Sequence, residues 1–250
     1  SDLQNIEMII DELNLRRDKG ISQQTLNELR SKLKVKHVYH SNAIEGNNLT
    51  LRETELILNG LAVNERPLKD EIEAKSLSNA TDFLYSLIEG SEPLTKRTLL
   101  ELHGLIIDKK IDIQSGKFRI NDVKIKGADH TPPSHLDVED HVNDLFKWIN
   151  RNIHKYQPIV MASIIHHWLT WIHPFNDGNG RVSRLFLNFF LLQKGYPEIV
   201  IRINERDQYY NSLINADKGN LIELIKLILE NVLESAKQYE ELFNEDEKQS

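Results

Sequence analysis

Apolar residues recur three and four positions apart along most of the chain, which is the spacing of one helix face. The apolar positions of residues 3–14 form such a stripe, and Gly20 terminates the predicted helix. A second helix is predicted from Ser22 to about Ile44, and Thr50 begins a third because Thr-x-x-Glu is a capping box. The remaining helices are predicted at 69–88, 95–108, 137–150, 158–172, 181–195 and about 221–243.

Two of these helices carry further signals. Asp137 is a favourable N-cap for the helix over 137–150. The helix over 158–172 is apolar almost all round, which indicates a buried central position. The charged residues after Phe243 are expected to fray.

Residues 116–133 interrupt the helical pattern. Phe118, Ile120, Val123 and Ile125 are apolar around an Asn-Asp turn, which predicts a small β-hairpin that stops at a Pro-Pro pair. No repeat, low-complexity linker or clear domain boundary is visible. The predicted fold class is therefore all-α with one small β-hairpin.

Composition and charge exclude several classes of function. The chain has 250 residues, 40% of them hydrophobic and 28% charged, which is typical of a globular domain. Its net charge of -7 and its lack of a basic cluster argue against nucleic-acid binding. The absence of cysteine excludes disulfides, zinc–thiolate sites and cysteine nucleophiles. No membrane span or secretory leader is visible, so a cytoplasmic location is expected, although the chain begins at Ser1 rather than methionine.

The stretch "HPFNDGNGR" at 173–181 joins two predicted helices. An ordinary turn uses the same residue types, but this one places glycines at a helix N-terminus, where free N–H groups favour an anion. Arg181 and Arg184 lie in the first helical turn, where the helix dipole disfavours cations, and a bound polyphosphate would compensate both. His173 is a candidate general base, and Asp177 is a candidate ligand for Mg²⁺.

Three other residues near this stretch are interpreted as structural. Phe175 is expected to pack inward and anchor the loop. The neighbours His166 and His167 point about 100° apart on a helix and cannot share one metal ion, so a zinc site with His173 is the minor alternative.

Residues 173–184, "HPFNDGNGRVSR", resemble the Fic signature His-x-Phe-x-Asp/Glu-Gly-Asn-Gly-Arg-x-x-Arg at every fixed position. The hairpin at 116–133 is similar to the Fic flap, and "RDQYYNSLINAD" at 206–217 resembles the segment that lines the adenine pocket. About 37–235 look Fic-like in all. The resemblance implies a Fic-type helical bundle, with an N-terminal helical region at 1–90 and a core at 91–250.

Fic enzymes typically transfer AMP from ATP to a serine, threonine or tyrosine hydroxyl of a protein and release pyrophosphate. The resemblance therefore implies ATP as substrate, Mg²⁺ as cofactor, and a protein partner with a modifiable hydroxyl, the chain itself included; a homodimer is left open. His173 would be the base, and Asp177 would hold Mg²⁺. The nucleotide-binding residues would be Gly178, Asn179, Gly180, Arg181, Arg184, Tyr209 and Tyr210, while Asp217 stands where relatives often carry asparagine. The flap residues that dock the target would be Val123, Ile125, Lys126, Gly127 and His130.

Residues 41–48, "SNAIEGNN", contain a second element. Ser41 and Glu45 lie one helical turn apart, and Gly46 is placed as a C-terminal helix cap. A helix end with a solvated glutamate would look the same. The segment also resembles the Fic inhibitory motif Ser/Thr-x-x-x-Glu-Gly/Asn, which implies an inhibitory helix over about 37–46 whose glutamate pairs with Arg184.

Several alternatives remain open from the sequence. The same site could remove AMP from a modified protein, with Glu45 orienting water. It could also transfer another moiety, such as UMP or phosphocholine. A different class of function is a non-catalytic protein-interaction module, although such a module has no reason to keep His173, Asp177 and Arg184 together.

Overall fold

The computed structural model describes residues 1–249, and within this range the chain forms ten α-helices and two short 3-10 turns. The helices are α1 (Asp2–Asp18), α2 (Gln23–Ile44), α3 (Leu51–Leu58), α4 (Leu68–Glu89), α5 (Lys96–Ile106), α6 (Val138–Asn152), α7 (Pro158–Ile172), α8 (Asn179–Gln193), α9 (Arg206–Asp217) and α10 (Ile222–Gln249). None of the helices in residues 1–249 combines the length and apolar character that a bilayer crossing requires.

Side-chain caps set several helix starts. The predicted capping box at Thr50 is present, with its hydroxyl accepting from Glu53 N and the Glu53 carboxylate accepting from Thr50 N. Ser22 and Thr95 accept from the N–H groups of the first turns of α2 and α5. These caps satisfy donors that have no partner within their own helix.

Helices α7 and α8 form the centre of the bundle and pack along one another. The prediction that 158–172 is a buried central helix is confirmed, and α8 is buried continuously from Arg181 to Leu191. Helices α2, α4 and α5 cover α8, while α10 covers α1, α7 and α9. Residues on both sides of position 90 share one hydrophobic core, so the N-terminal region packs against the centre of the bundle rather than apart from it.

The predicted β-hairpin is the main error. Within residues 1–249 no strand is formed, and 116–133 is a chain of turns and irregular extended backbone. The Arg119 N–H donates to Pro174 O at 2.9 Å instead of to a partner strand, which ties the segment to the loop after α7. The segment is therefore held against the loop without forming a β-ladder among the described residues.

Two helix ends and one capping bond also differ from prediction. Helix α8 begins at Asn179 rather than 181, because Gly178 takes the N-cap position. Asp137 precedes α6 but makes no side-chain cap, and Ser134 instead caps the preceding 3-10 turn. Helix α10 stays helical to Gln249 rather than fraying after Phe243.

Candidate active site

The loop 173–178 joins the two central helices and begins and ends in left-handed backbone. His173 has φ 50 and ψ 60, and Gly178 has φ 81. Positive φ is readily accessible to glycine but sterically unfavourable for histidine, so the neighbours of His173 must stabilise it. The first N–H groups of α8 lack helical acceptors, which makes this end of the loop suited to an anion.

Three buried contacts brace the loop from inside. Asn179 closes it on both sides, since its Oδ1 accepts from Phe175 N at 2.9 Å and its Nδ2 donates to Phe175 O at 2.7 Å. The Phe175 ring is fully buried, as predicted, and stacks on His103 at 3.7 Å between centroids. His103 Nε2 donates to Asp177 O at 2.8 Å, while its Nδ1 accepts from Gly116 N at 3.0 Å. Burial lowers the pKa of His103 to about 4, so the ring is neutral, and its two hydrogen bonds fix the tautomer with the proton on Nε2.

The Asn179 side chain does not point into the nucleotide-binding position that the family resemblance implied for it. Both of its polar atoms are engaged with the Phe175 backbone, and the residue is only 4% exposed. It therefore shapes the loop rather than presenting a free polar atom at the start of α8.

Two glycines permit close approach at the start of α8. A Cβ on Gly178 would lie 3.0 Å from the Ile107 side chain. A Cβ on Gly180 would overlap the Glu45 carboxylate, which lies directly against this turn, and would come within 2.9 Å of Arg184 Nη1. Gly180 therefore allows a carboxylate to reach the helix terminus, where an anion is favoured.

His173 lies half-buried at the start of the loop 173–178. Burial first, and then the nearby Arg119 guanidinium, lower the pKa of His173 to about 4, so its imidazole is neutral at pH 7. The His173 carbonyl accepts a hydrogen bond from Arg119 Nε at 2.8 Å. A neutral imidazole at this position can accept a proton from a neighbouring group.

Arg184 is buried and binds the C-terminal end of α2. Its Nε donates to Ser41 Oγ at 2.9 Å, and its Nη2 donates to Ser41 O at 3.0 Å and to Glu45 Oε1 at 2.8 Å. Burial alone would lower the pKa of Arg184, but the Glu45 carboxylate raises it above its usual value. The structure therefore brings the predicted pair, Glu45 and Arg184, together, and Ser41 binds the same guanidinium.

Arg181 and Asp177 form a second pair on the other side of the loop. Arg181 Nη2 lies 3.1 Å from Asp177 Oδ1, and Nη1 lies 3.9 Å from the Glu73 carboxylate of α4. Asp177 Oδ1 also accepts from Gly178 N at 2.7 Å. The Asp177 side chain is 64% exposed, so its carboxylate remains accessible to solvent.

The two tyrosines of α9 differ in their surroundings. Tyr209 is buried, with its hydroxyl 2.7 Å from His166 Nε2. His166 Nδ1 donates to Ser183 O, so its Nε2 accepts the Tyr209 O–H. Tyr210 is half-buried with the Arg206 guanidinium 5.1 Å from its ring centre, and only this tyrosine of the pair presents an accessible face.

The neighbouring histidine has a different partner. His167 Nε2 lies 2.8 Å from Asp217 Oδ1, so the two α7 histidines bind different groups. Among residues 1–249 no three histidine, cysteine or acidic side chains come together as a metal cage. Asp217 is thus engaged with α7.

The flap segment, residues 116–133, covers one side of the loop. Val123 and Ile125 are half-buried, whereas Lys126 and Gly127 are exposed. This alternation is that of an extended segment lying on a surface. The sequence predicted these positions as part of a β-hairpin, and neither of its two strands is formed among the described residues.

Two contacts attach the far end of the flap segment. His130 Nε2 donates to Trp171 O at 2.9 Å, and the two rings stack at 4.8 Å. Asp122 Oδ1 accepts from both His135 N and His135 Nδ1 at 2.8 Å. These contacts join the segment to the end of α7 and to the 3-10 turn that follows it.

Sequence reasoning missed two buried residues that hold the site. His103 lies on the apolar stripe of α5 with Leu99 and Ile106, and a lone histidine on a buried stripe was the available signal. Arg119 lies between Phe118 and Ile120, where a charge amid apolar residues was likewise visible. The acceptors of both residues are backbone carbonyls distant in sequence, which no local pattern reveals.

Residues 93–191 match the Fic/DOC family. The chain is 34% identical over 195 residues to the protein adenylyltransferase Fic of Nematostella vectensis, which covers 77% of this chain and 45% of the relative. Fic-1 from C. elegans superposes with a TM-score of 0.85 at 26% identity, covering 95% of this chain and 70% of that chain. A Fic domain containing signaling protein from Bacteroides thetaiotaomicron superposes with a TM-score of 0.85 at 25% identity, covering 98% and 97% of the two chains.

The matches cover only part of each curated relative. The chain spans less than half the length of the curated relatives, 45%, 39% and 42% of the first three. The family match nevertheless contains the whole loop and both arginines, from His173 to Arg184. The fold, the motif and the relatives agree: residues 93–191 of this chain, which carry this loop, are a domain of the Fic/DOC family.

Proposed function

We propose that the chain transfers AMP from ATP to a serine, threonine or tyrosine hydroxyl of a protein, with release of pyrophosphate. The observation that carries the proposal is a pair of buried guanidinium groups at the glycine-rich start of α8. Arg181 Nε and Arg184 Nη1 are buried without a hydrogen-bond partner among residues 1–249. Unpaired buried donors favour a ligand rich in acceptor oxygens, and a polyphosphate is such a ligand. The relatives named as protein adenylyltransferases support the same reaction.

His173 would act as the base in this reaction. The hydroxyl oxygen of the target forms a bond to the α-phosphorus while its proton moves to the imidazole, and the bond from that phosphorus to the bridging oxygen breaks. Pyrophosphate leaves with the electron pair. A pKa of about 4 makes the ring neutral and ready to accept the proton. The negative charge of a bound triphosphate would raise that pKa toward the working pH and strengthen the base.

The phosphates would lie at the N-terminus of α8. Backbone N–H groups at Gly178–Gly180 would face the α-phosphate, and Arg181 and Arg184 would stabilise the negative charge that develops on pyrophosphate. Because the Asn179 side chain is committed to Phe175, the anion site consists of backbone and guanidinium donors. Tyr210, the accessible tyrosine of α9, would border the nucleotide, and buried Tyr209 would support Arg184 from behind at 5.8 Å.

Mg²⁺ fits the donors at this site. Magnesium commonly uses one or two carboxylates and completes its octahedron with phosphate oxygens and water. The accessible Asp177 carboxylate is one such donor, and it lies next to the start of α8. Asp177 would hold the ion, which neutralises phosphate charge when bound.

The site would be inhibited by the C-terminal end of α2. Glu45 accepts from Arg184 and lies against Gly180, where a phosphate oxygen would otherwise lie. Ser41 occupies two further N–H groups of the same guanidinium. ATP would therefore compete with Glu45 for Arg184, and displacement of the glutamate would permit productive binding.

The flap segment would dock the target. Its extended run through Val123 and Ile125 has no partner strand among residues 1–249, so a target backbone could add to it as a second strand. Lys126 and Gly127 are exposed at its tip, and His130 fixes its far end to α7. Strand addition would place a hydroxyl side chain near His173 with little selection for sequence.

The direct test is the transfer of a phosphate label from ATP to protein. The Glu45→Gly variant would be incubated with Mg²⁺, a lysate, and ATP that carries the label at either the α- or the γ-phosphate. We expect label on protein only from the α position, and none in a Glu45→Gly, His173→Ala double variant. Label from the γ position alone would replace this proposal with a kinase activity.

A further inference from the structure

Arg119 is a buried arginine whose guanidinium binds only backbone carbonyls. The residue is 2% exposed. Its Nε donates to His173 O at 2.8 Å and its Nη1 to Asn121 O at 3.0 Å. Its Nη2 donates to Pro133 O, and to Ile172 O at 3.4 Å. One side chain thus joins the end of α7, the loop and both halves of the flap segment.

Burying the Arg119 guanidinium has a desolvation cost that must be offset by its hydrogen bonds. The nearest carboxylate, Asp122, forms only a long ion pair at 4.0 Å and is 70% exposed, so solvent screens this counter-ion. Burial lowers the pKa of Arg119, which reflects this desolvation. An apolar side chain would avoid the penalty but would leave four carbonyls to find other donors. A guanidinium has several N–H donors in one plane, so this single side chain can hold all four carbonyls at once.

One of those carbonyls belongs to the left-handed residue. His173 has φ 50, an uncommon conformation that persists only where its surroundings determine it. Arg119 also donates its own N–H to Pro174 O at 2.9 Å, so side chain and backbone hold consecutive residues of the loop. Movement of the flap segment and of the His173 backbone is coupled through this residue.

We propose that Arg119 is a positioning residue, which locks the left-handed backbone of His173 to the flap segment so that the imidazole faces a docked target in one orientation. The inference rests on the proposed function for the role of His173, but its structural part does not. A displacement of a reacting group by about 1 Å can lower a rate about 100-fold. Loss of the lock therefore affects turnover rather than nucleotide binding, because Arg119 has no contact with α8.

The test uses two substitutions in the Glu45→Gly protein. Arg119→Lys keeps a positive charge but cannot span four carbonyls, and Arg119→Met keeps the stem without any donor. For both we expect kcat for AMP transfer to fall about 10- to 100-fold while KM for ATP stays within about twofold. Hydrogen–deuterium exchange should increase together in 118–123 and 172–176. Arg30→Met, which removes another largely buried arginine far from the loop, should change neither readout.

The pH dependence separates positioning from general loss of stability. Arg119, Glu45, His130 and Asp177 are the charged and titratable groups that act on His173. Removing the Arg119 charge moves the acid limb of the kcat/KM profile to higher pH in Arg119→Met, and Arg119→Lys moves it less. A uniformly unstable enzyme would lose activity without this difference between the variants.

The outcomes are distinguishable. Unchanged exchange at 172–176 in a folded Arg119 variant overturns the proposal, whatever the activity of the parent. If Arg119→Met does not fold, the test rests on Arg119→Lys. A wild-type kcat in Arg119→Lys would also overturn the proposal. If the Glu45→Gly parent transfers no AMP, the proposed function fails, while the exchange measurement still tests the lock.

Discussion

The pair between Glu45 and Arg184 makes a quantitative prediction about nucleotide binding. Glu45→Gly removes the carboxylate from the start of α8 and leaves the Ser41 contacts of Arg184 in place. If Glu45 competes with phosphate oxygens, ATP should bind more tightly and transfer AMP faster after this change. Glu45→Gln keeps a neutral hydrogen bond to Arg184, so its effect should lie between those of the wild type and Glu45→Gly.

The contact geometry sets the magnitude. Glu45 Oε1 lies 2.8 Å from Arg184 Nη2, and the two side chains are 32% and 3% exposed. A hydrogen bond to a charged group contributes about 1.5–3 kcal/mol. Solvent around the exposed third of the carboxylate screens the pair, which lowers this to about 1–2 kcal/mol. Because about 1.4 kcal/mol corresponds to a factor of ten, affinity and initial rate should rise about 5- to 30-fold.

Two measurements check this expectation. Calorimetric titration with a non-hydrolysable ATP analogue gives the affinity without turnover, and the initial rate of α-label transfer gives the activity. Glu101→Gln is the matched control for Glu45→Gln, because Glu101 accepts from Arg97 Nε at 2.8 Å on the exposed face of α5. This control should change neither value.

One result would refute the reasoning outright. If Glu45→Gly binds the analogue with wild-type affinity and transfers AMP at the wild-type rate, the carboxylate does not compete with ATP. The pair with Arg184 would then be a structural contact between α2 and α8. A gain in Glu101→Gln equal to that in Glu45→Gln would show that lost negative charge in general, rather than this contact, drives binding.

Three further predictions concern the loop and the core. Asn179→Ala removes both bonds to the Phe175 backbone and should lower the free energy of unfolding by about 2–4 kcal/mol, measured by urea denaturation, with a matching loss of transfer. Gly178→Ala forces a Cβ into a left-handed position and should lower the melting temperature measured by calorimetry. Burial lowers the pKa values of His37 and His166 to about 3, so the unfolded state binds protons first and stability falls as pH drops below about 6.5. The free energy of unfolding should be lower at pH 5 than at pH 7 by about 2 kcal/mol for each histidine, and the melting temperature should be lower as well. The same melting temperature at both pH values would contradict this prediction.

The helical framework was predictable because its signals are local. The capping box at Thr50 and the all-apolar run over 158–172 each specify an element without reference to distant residues. The C-terminal end was mispredicted for the opposite reason. Its charges predicted fraying, but Arg16 of α1 donates to Asn244 and Glu247, and Thr25 donates to Asp246. These contacts between distant helices hold the last turns of α10 in place.

The flap segment shows where an alternating pattern is insufficient. Phe118, Val123 and Ile125 have the spacing of a hairpin, yet a strand requires a partner as well as a pattern. Arg119 directs this backbone onto the loop 173–178, and in the proposed function the free edge is left for another chain. A sequence that completes its sheet only with a target would be misread as an intramolecular hairpin in this way.

The motif predicted which residues gather at the site but not all of their tasks. The structure brings His173, Arg181 and Arg184 to the same end of α8, as the spacing indicated. Asn179 has the chemistry of an anion ligand, but its neighbours determine that it braces the loop. A signature identifies residues that must be present together, and only geometry separates those that would touch substrate from those that support them.

Unsatisfied buried polar groups are concentrated on helices α2 and α8. Six buried side-chain polar atoms in residues 1–249 lack a hydrogen-bond partner, and all six lie on these two helices. They include Asn42 Oδ1 and His37 Nε2 on α2 and Ser183 Oγ on α8. Each such atom costs about 1–3 kcal/mol relative to a satisfied one. Arg184 Nη1 is also among them and lies beside Gly180 and the Glu45 carboxylate. In the proposed function a phosphate oxygen would satisfy this donor, which Glu45 leaves unpaired, and this difference favours displacement of the glutamate by nucleotide.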